Sequence, residues 1–244
     1  MIPKKIHYIW LGGKDEPEIL KKCKRSWKKY CPDYEIIRWD ETNLDLDKFQ
    51  FAKSAYEDKK YAFASDVFRF DILNNEGGIY LDVDVELIGP LDKFLKHDLF
   101  MGFESETQVA PGLIIGSIKG QEHLIELIKV YEELEYDSTK LKSLAIPIIT
   151  TNYLKEKIKL KTNNSTQFFN DEKIAIYSTE YFCPKSVSDG KVRKTKNTVS
   201  IHWYNMSWYT PLQRFKHNCK VALNVLSFGL FEKILRKIRN KENS

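Results

Sequence analysis

The stretch AFASDVFRFDILNNEGGIYLDVDV, residues 62–85, decides the fold, because it joins a helical pattern to a strand through a pair of glycines. Apolar residues at helical spacing predict a helix over residues 60–76 that ends at Gly77-Gly78. Residues 79–86 then predict a strand, whose alternation puts three acidic side chains on one face: Asp82, Asp84 and Glu86. Buried helices that feed into strands in this way are typical of α/β proteins.

The beginning of the chain extends this pattern. Residues 5–11 predict a buried strand, residues 17–30 a helix with one apolar side, and residues 34–39 a second strand. A strand, a helix and a strand in close succession indicate a βαβ unit of a parallel sheet. With 244 residues in all, we expect one large α/β domain over residues 1–211.

Composition predicts a protein with a packed core that stays in solution, since 42% of the residues are hydrophobic and 30% are charged. No apolar run approaches the ~20 residues that span a bilayer, and no segment typical of a secretory signal follows Met1. The four cysteines form no CxxC pair, so we expect free thiols in a reducing cytosol. These features together favour a cytoplasmic location.

Charge is distributed unevenly along the chain. Residues 184–244 contain 13 Lys or Arg against 3 Asp or Glu, a net charge of +10. Because the whole chain has a net charge of +5, residues 1–183 have a net charge of −5. Residues 212–244 predict a basic, amphipathic helical tail, which either docks on the domain or binds the anionic inner face of the cell membrane. Nucleic acid is not expected as a partner, because only this tail would support it.

The two carboxylates of Asp82 and Asp84 suggest a site for a hard divalent cation, Mn²⁺ or Mg²⁺, with Mn²⁺ favoured. A solvated strand edge is the alternative on spacing alone. The preceding helix argues for a ligand site, because Asp66 and Arg69 lie three residues apart and so share one helical face.

Three motifs resemble glycosyltransferase family 32, the DXD-motif sugar transferases. Residues 62–85 resemble its DXD block, residues 3–13 (PKKIHYIWLGG) its opening strand, and residues 202–208 (HWYNMSW) its closing HxxxxSW motif. The family includes Golgi initiating mannosyltransferases and bacterial capsule and lipopolysaccharide enzymes, and the glucosyltransferase domains of large clostridial toxins share the block. The resemblance is dense over residues 3–90 and returns at residues 200–208.

The resemblance implies a GT-A fold: a Rossmann-like mixed central sheet flanked by helices, here with a C-terminal helical tail. The residues that it implies for catalysis are Asp66, Arg69, Asp82 and Asp84. Those that it implies for donor binding are Ile9, Trp10, Ala62, Ser65, Asp66, Arg69, Tyr80, Asp82, Ser207 and Trp208. Those that it implies for the metal are Asp82, Asp84 and His202. Gly112 stands where the family usually has an asparagine, so the identity of the donor sugar does not follow from the resemblance.

The function predicted on this basis is retaining transfer of a hexose from a nucleotide sugar, a UDP-sugar being favoured, to a glycan or lipid-linked oligosaccharide acceptor. Synthesis of bacterial capsule, exopolysaccharide or lipopolysaccharide is the expected setting. Two alternatives stay open. A glycoside hydrolase also uses two carboxylates, although these normally flank the sugar from separate elements. A non-catalytic module that binds a cation or a sugar would turn over no nucleotide sugar.

Overall fold

A computed structural model describes residues 1–204 of the chain. The predicted domain boundary at residue 211 and the predicted tail over residues 212–244 lie outside the described residues, as do Ser207 and Trp208. Within residues 1–204, no helix has both the length and the apolar character needed to cross a membrane.

Nine strands and six α-helices are found in the described part of the chain. The strands are β1 (Lys5–Ile9), β2 (Glu35–Trp39), β3 (Gly78–Tyr80), β4 (Val85–Leu87), β5 (Leu99–Gly102), β6 (Ile115–Ser117), β7 (Gln167–Phe169), β8 (Ile174–Tyr177) and β9 (Ser200–His202). The helices are α1 (Glu18–Tyr30), α2 (Gln50–Glu57), α3 (Tyr61–Glu76), α4 (Glu122–Glu132), α5 (Ile146–Lys157) and α6 (Thr179–Phe182).

Seven strands form one mixed sheet in the order β2-β1-β3-β6-β5-β8-β7, and β4 and β9 form a separate antiparallel pair. Strand β1 runs parallel to both β2 and β3, and β5 runs parallel to β8. Strand β6 is antiparallel to β3 and β5, and β7 is antiparallel to β8. The predicted βαβ unit and the predicted mixed sheet are therefore both present.

Helix α3 explains why its sequence is apolar on nearly every side. It packs against β1, β3 and β6 of the sheet and against α2 and α4. Its buried residues include Val67, Phe68 and Phe70, and Asp66 and Arg69 share this burial although they are charged. Charged side chains are almost never fully buried unless they are paired, so these two mark a special position in the fold.

The chain reverses its direction of sheet building at β1. It passes from β1 to β2 on one side and later returns to place β3 on the other side. In open α/β sheets, the crevice beyond the carboxyl ends of the strands at such a switch point is the usual place for a ligand. The segments that follow β1 and β3 therefore meet where a donor site is expected.

The strand predicted over residues 79–86 is wrong in one respect. Strand β3 ends at Tyr80, and Asp82-Val83-Asp84 forms a turn in which the Val85 N–H donates to the carbonyl of Asp82 at 3.1 Å. The chain leaves the central sheet here, because β4 pairs with β9 instead. The two aspartates therefore come together through a turn and not through the alternation of a continuous strand.

Two further regions were not foreseen from the pattern. The short helix α2 was missed, and residues 135–200, which show only weak patterns in the sequence, contain α5, β7, β8, α6 and the start of β9. Strand β9 has the greatest consequence for the site, because it brings a histidine to the turn after β3.

Candidate active site

Asp82, Asp84 and His202 form a cluster in which one ligand atom from each lies within 4.8 Å of the others. The pairing of β4 with β9 creates it, since Val85 stands opposite His202 in the ladder. The carbonyl of Asp84 also accepts the N–H of Trp203 at 3.0 Å, which continues the pairing into the turn. The structure thus brings together all three residues that the resemblance implies for the metal.

The charges of this cluster are coupled. The Nε2 atom of His202 lies 3.2 Å from Oδ1 of Asp84, and both side chains are almost fully buried. Burial lowers the pKa of His202, but the Asp84 carboxylate outweighs it, and the pKa stands well above its ordinary value. Burial raises the pKa of Asp82, with Arg69 opposing that rise. A divalent cation would add the positive charge that the two carboxylates favour.

The residue types present suit a divalent cation. Two carboxylates offer the oxygen ligands that Mg²⁺ and Mn²⁺ prefer, and the imidazole nitrogen favours the transition metal. The Nδ1 atom of His202 is buried and has no hydrogen-bond partner among residues 1–204. Three protein ligands also leave coordination positions open for phosphate oxygens and water.

Arg69 organises the other half of the site. Its Nη2 donates to Oδ1 of Asp66 at 2.8 Å and to Oγ of Ser65 at 3.0 Å, while its Nη1 lies 3.5 Å from Oδ1 of Asp82. The guanidinium also lies 4.9 Å from the centroid of the Tyr80 ring. Helical spacing makes this possible, because residues three and four apart share one face. Arg69 therefore links α3 to the turn after β3.

Burial would make isolated charges unfavourable here, and the pairing offsets that cost. Burial raises the pKa of Asp66, and Arg69 limits the rise. Burial opposes the charge of Arg69, but Tyr80 and the two carboxylates raise its pKa above the ordinary value, so it stays a cation. The Nε of Arg69 is buried without a partner among the described residues.

Asp82 is held from two sides. The hydroxyl of Tyr80 donates to its Oδ1 at 3.1 Å, and its own N–H donates to the carbonyl of Gly112 at 2.9 Å. Asp82 is also the most exposed of the three predicted metal ligands, with 28% of its side chain accessible. It can therefore contact a ligand while its orientation is fixed by the protein.

Gly112 is a site residue whose position the sequence did not reveal. A β-carbon added there would overlap Oδ2 of Asp82 and would lie 2.5 Å from Nη1 of Arg69, which is closer than such contacts occur. Only glycine lets these two side chains approach the backbone of residue 112 so closely. The sequence showed only that a glycine replaces the family's usual asparagine. It did not indicate that the glycine makes room for Asp82 and Arg69.

Glu104 is a second residue that sequence reasoning missed. It follows β5, burial raises its pKa, and the charges of His202 and Asp82 act on it. Its backbone carbonyl accepts from the hydroxyl of Tyr204 at 3.4 Å. A single acidic residue after a strand carries no distinctive pattern, so nothing in the sequence pointed to it.

The residues predicted to border the nucleoside lie at the end of β1, directly after it, and in the first turns of α3. Ile9 is the last residue of β1, and the Nε1 of Trp10 donates to the carbonyl of Lys14 at 2.7 Å. Ala62 lies in the first turn of α3, and its carbonyl accepts from Ser65 Oγ at 2.7 Å. The ring of Tyr61 lies against Gly12, so the two segments adjoin.

Comparison with known proteins agrees with this picture. Residues 17–101 match the sequence profile described as "Glycosyltransferase sugar-binding region containing DXD motif". The chain is 28% identical over 132 residues to inositol phosphoceramide mannosyltransferase 3 of Schizosaccharomyces pombe. This alignment covers 52% of this chain and 36% of that protein. It is 27% identical over 186 residues to inositol phosphoceramide mannosyltransferase 2 of the same organism. This second alignment covers 72% of this chain and 52% of that protein.

These matches span only about a third to a half of the length of the relatives. Among solved structures, the PaToxG glycosyltransferase superposes with a TM-score of 0.50 at 20% identity, covering 65% of this chain and 70% of that one. At that identity the likeness shows the fold alone. The predicted fold class and the predicted resemblance to DXD sugar transferases are both confirmed.

Proposed function

We propose that this chain, which carries the sugar-binding region of the DXD glycosyltransferases, transfers a hexose from a nucleotide sugar to a glycan with retention of configuration. One observation carries the proposal. The Asp82, Asp84 and His202 cluster adjoins the buried Arg69 group at the carboxyl ends of β1 and β3. Carboxylates for a cation and a buried cation beside them suit a sugar joined to a diphosphate.

Asp82, Asp84 and His202 would hold Mn²⁺ or Mg²⁺. When bound, such a cation supplies neutralising charge for the departing diphosphate. Arg69 adds a fixed positive charge that needs no rearrangement as the bond breaks. Asp66 orients Arg69 through their 2.8 Å contact, and the Tyr80 hydroxyl orients Asp82. We assign no dedicated general base. The departing phosphate oxygen takes the proton of the acceptor hydroxyl as the new glycosidic bond forms on the same face.

A UDP-hexose is our first candidate donor. A mannose donor is the second, because two relatives that match this chain are named as mannosyltransferases. For the acceptor we propose a glycan or a lipid-linked oligosaccharide of a bacterial surface polysaccharide pathway.

The test is slow hydrolysis of the donor, which requires no acceptor. The purified chain is incubated with UDP- and GDP-hexoses and Mn²⁺, and released nucleotide is measured. We expect turnover of one donor that a chelator abolishes and that Mn²⁺ restores. Turnover without a divalent cation would contradict the metal role. Cleavage of a glycoside but of no nucleotide sugar would support a hydrolase, and tight cation or sugar binding without any turnover would support a binding module.

We also propose that the chain works in the cytoplasm, with the tail over residues 212–244 bound to the inner face of the cell membrane. The sequence alone supports this. In the full chain, four basic residues are changed to Gln and binding to anionic vesicles is measured by co-sedimentation: Lys233, Arg236, Lys237 and Arg239. Loss of about 1 kcal/mol of binding per charge is expected near an anionic surface. Equal sedimentation of both proteins would reject membrane binding by the tail.

A further inference from the structure

Lys185 is a half-buried lysine held in a defined position beside the metal cluster. It lies in the loop after α6, where it bridges to Val192 in antiparallel fashion. Two further backbone hydrogen bonds close the loop, from Ser186 N–H to the carbonyl of Lys191 at 3.0 Å and from Arg193 N–H to the carbonyl of Pro184 at 2.9 Å. The side chain therefore starts from a fixed backbone and not from an open surface loop.

The ammonium of Lys185 reaches the segment that carries the cluster. Its Nζ donates to the carbonyl of Trp203 at 2.7 Å and lies 5.2 Å from the centroid of the Trp203 ring. The N–H of the same Trp203 donates to the carbonyl of Asp84. One residue thus connects the lysine to a predicted metal ligand. Lys185 adjoins the Asp84 end of the cluster, whereas Arg69 adjoins the Asp82 end.

Lys185 forms no direct ion pair with residues 1–204, since no carboxylate oxygen of that range lies within 4.0 Å of its Nζ, although the charge of Asp84 acts on it from farther away. Lys22 provides the contrast. Its Nζ lies 4.6 Å from the centroid of the same Trp203 ring, but it is paired with Oε2 of Glu86 at 2.7 Å. Burial lowers the pKa of Lys185, and Asp84 opposes that change. Partial burial of an ammonium without a carboxylate at contact distance costs free energy, and binding of an anionic ligand would offset that cost.

We propose that Lys185 binds a phosphate group of the nucleotide, so that the diphosphate lies between two protein cations, Arg69 and Lys185, at the carboxylate cluster. A nucleoside diphosphate carries enough negative charge to engage both cations together with a divalent metal. The carbonyl of Trp203 and its ring keep the ammonium in place without neutralising it. The inference rests on the proposed nucleotide-sugar donor and adds a residue that none of the three motifs contains.

The experiment measures nucleotide binding in Mn²⁺ by calorimetry for the full chain and three variants. Lys185→Gln should raise the Kd for UDP, or for GDP if that is the nucleotide of the donor, about tenfold, because one charge-assisted contact is lost. Lys185→Arg should keep the Kd within about threefold of the wild type. Lys22→Gln is the matched control at the same ring and should leave the Kd unchanged, since Glu86 already neutralises that lysine.

Two further readouts separate phosphate binding from a structural role. Affinity for the nucleoside without phosphates, and for Mn²⁺ without nucleotide, should be the same in Lys185→Gln and the wild type. If the nucleoside or the metal binds more weakly as well, or if the diphosphate binds equally well, Lys185 does not bind phosphate. If the wild type binds neither UDP nor GDP, the proposed donor itself is wrong.

Discussion

Asp84 and His202 contact each other at 3.2 Å because a two-stranded sheet outside the central one pairs β4 with β9. The contact joins a residue of the DXD turn to a residue near the end of the described chain. Between them, the two strands fix an imidazole and a carboxylate at one point. The candidate metal site is thus a product of the two-stranded sheet as much as of the DXD turn.

Asp84→Asn should lower donor hydrolysis at least ~100-fold, because it removes a charged ligand whose effect on the transition state is worth about 3 kcal/mol or more. Mn²⁺ affinity, measured by electron paramagnetic resonance, should fall in parallel. Asp92→Asn is the control, since Asp92 is half-exposed and pairs only with Lys4 in the described part of the chain. Near-full hydrolysis by a folded Asp84→Asn protein would disprove the metal site.

Gly112→Ala should lower donor hydrolysis about 100-fold and also weaken Mn²⁺ binding, because the added β-carbon displaces the carboxylate of the proposed metal ligand Asp82. The new β-carbon would overlap both Oδ2 of Asp82 and Nη1 of Arg69, so both side chains must move, by up to about 1 Å, and displacements of that size can cost 10²-fold in rate. Gly89→Ala is the matched control, because the three atoms nearest its β-carbon would all belong to Val199, the closest at 3.3 Å. Equal rates for the two variants would show that the close approach at residue 112 has no catalytic role.

The sequence predicted those parts of the fold in which local pattern and tertiary environment agree. Helix α3 and strands β1 and β2 were placed within two residues of their ends, because burial imposes a regular apolar period on them. Helix α2 was missed: it has only eight residues, three of them buried, which is too short to show a convincing period. The end of β3 was missed because the alternation of polar and apolar residues continues through DVDV, whereas the pairing of β3 with β1 and β6 ends at Tyr80.

The site was predicted unevenly for a related reason. The pairing of Asp66 with Arg69 follows from helical spacing, because both residues lie on one face of the same helix. The association of His202 with Asp84 depends on the pairing of β4 with β9, and only the resemblance to a family indicated it. The roles of Gly112 and Lys185 depend on distances between segments remote in sequence, which no local pattern encodes.

Arg69→Lys should inactivate the chain and also destabilise it, although the charge is kept. A lysine offers one point charge in place of the planar group that contacts Ser65, Asp66 and Asp82 at the same time. We expect about 2 kcal/mol of lost unfolding free energy in a urea titration, since a buried carboxylate loses well-placed donors. Arg38→Lys at an exposed ion pair should change stability by less than about 0.5 kcal/mol. Comparable effects of both variants would argue against a special role for Arg69.

His7 makes the fold sensitive to acid. Its ring is fully buried on β1, and its Nδ1 accepts from the Nε1–H of Trp39 at 3.1 Å, so its Nε2 carries the proton that is donated to the carbonyl of Gly77 at 2.9 Å. A second proton on Nδ1 would face the indole N–H. Burial lowers the pKa of His7 from 6.5 to about 4; the Gly77 carbonyl and Glu76 oppose this, and Lys5 adds to it.

Stability should therefore fall as the pH drops from about 6.5 towards 4, because the unfolded chain takes up a proton that the folded chain excludes. Between pH 7.5 and pH 5 this one group should remove about 2 kcal/mol of unfolding free energy. His7→Gln cannot titrate, yet its amide can still donate to Gly77. Urea titrations of both proteins at the two pH values should show the smaller loss for His7→Gln, by that amount. Protonation of carboxylates in acid lowers the unfolding free energy of both proteins alike. Identical losses of unfolding free energy in the two proteins would therefore mean that His7 is protonated in the folded state without cost.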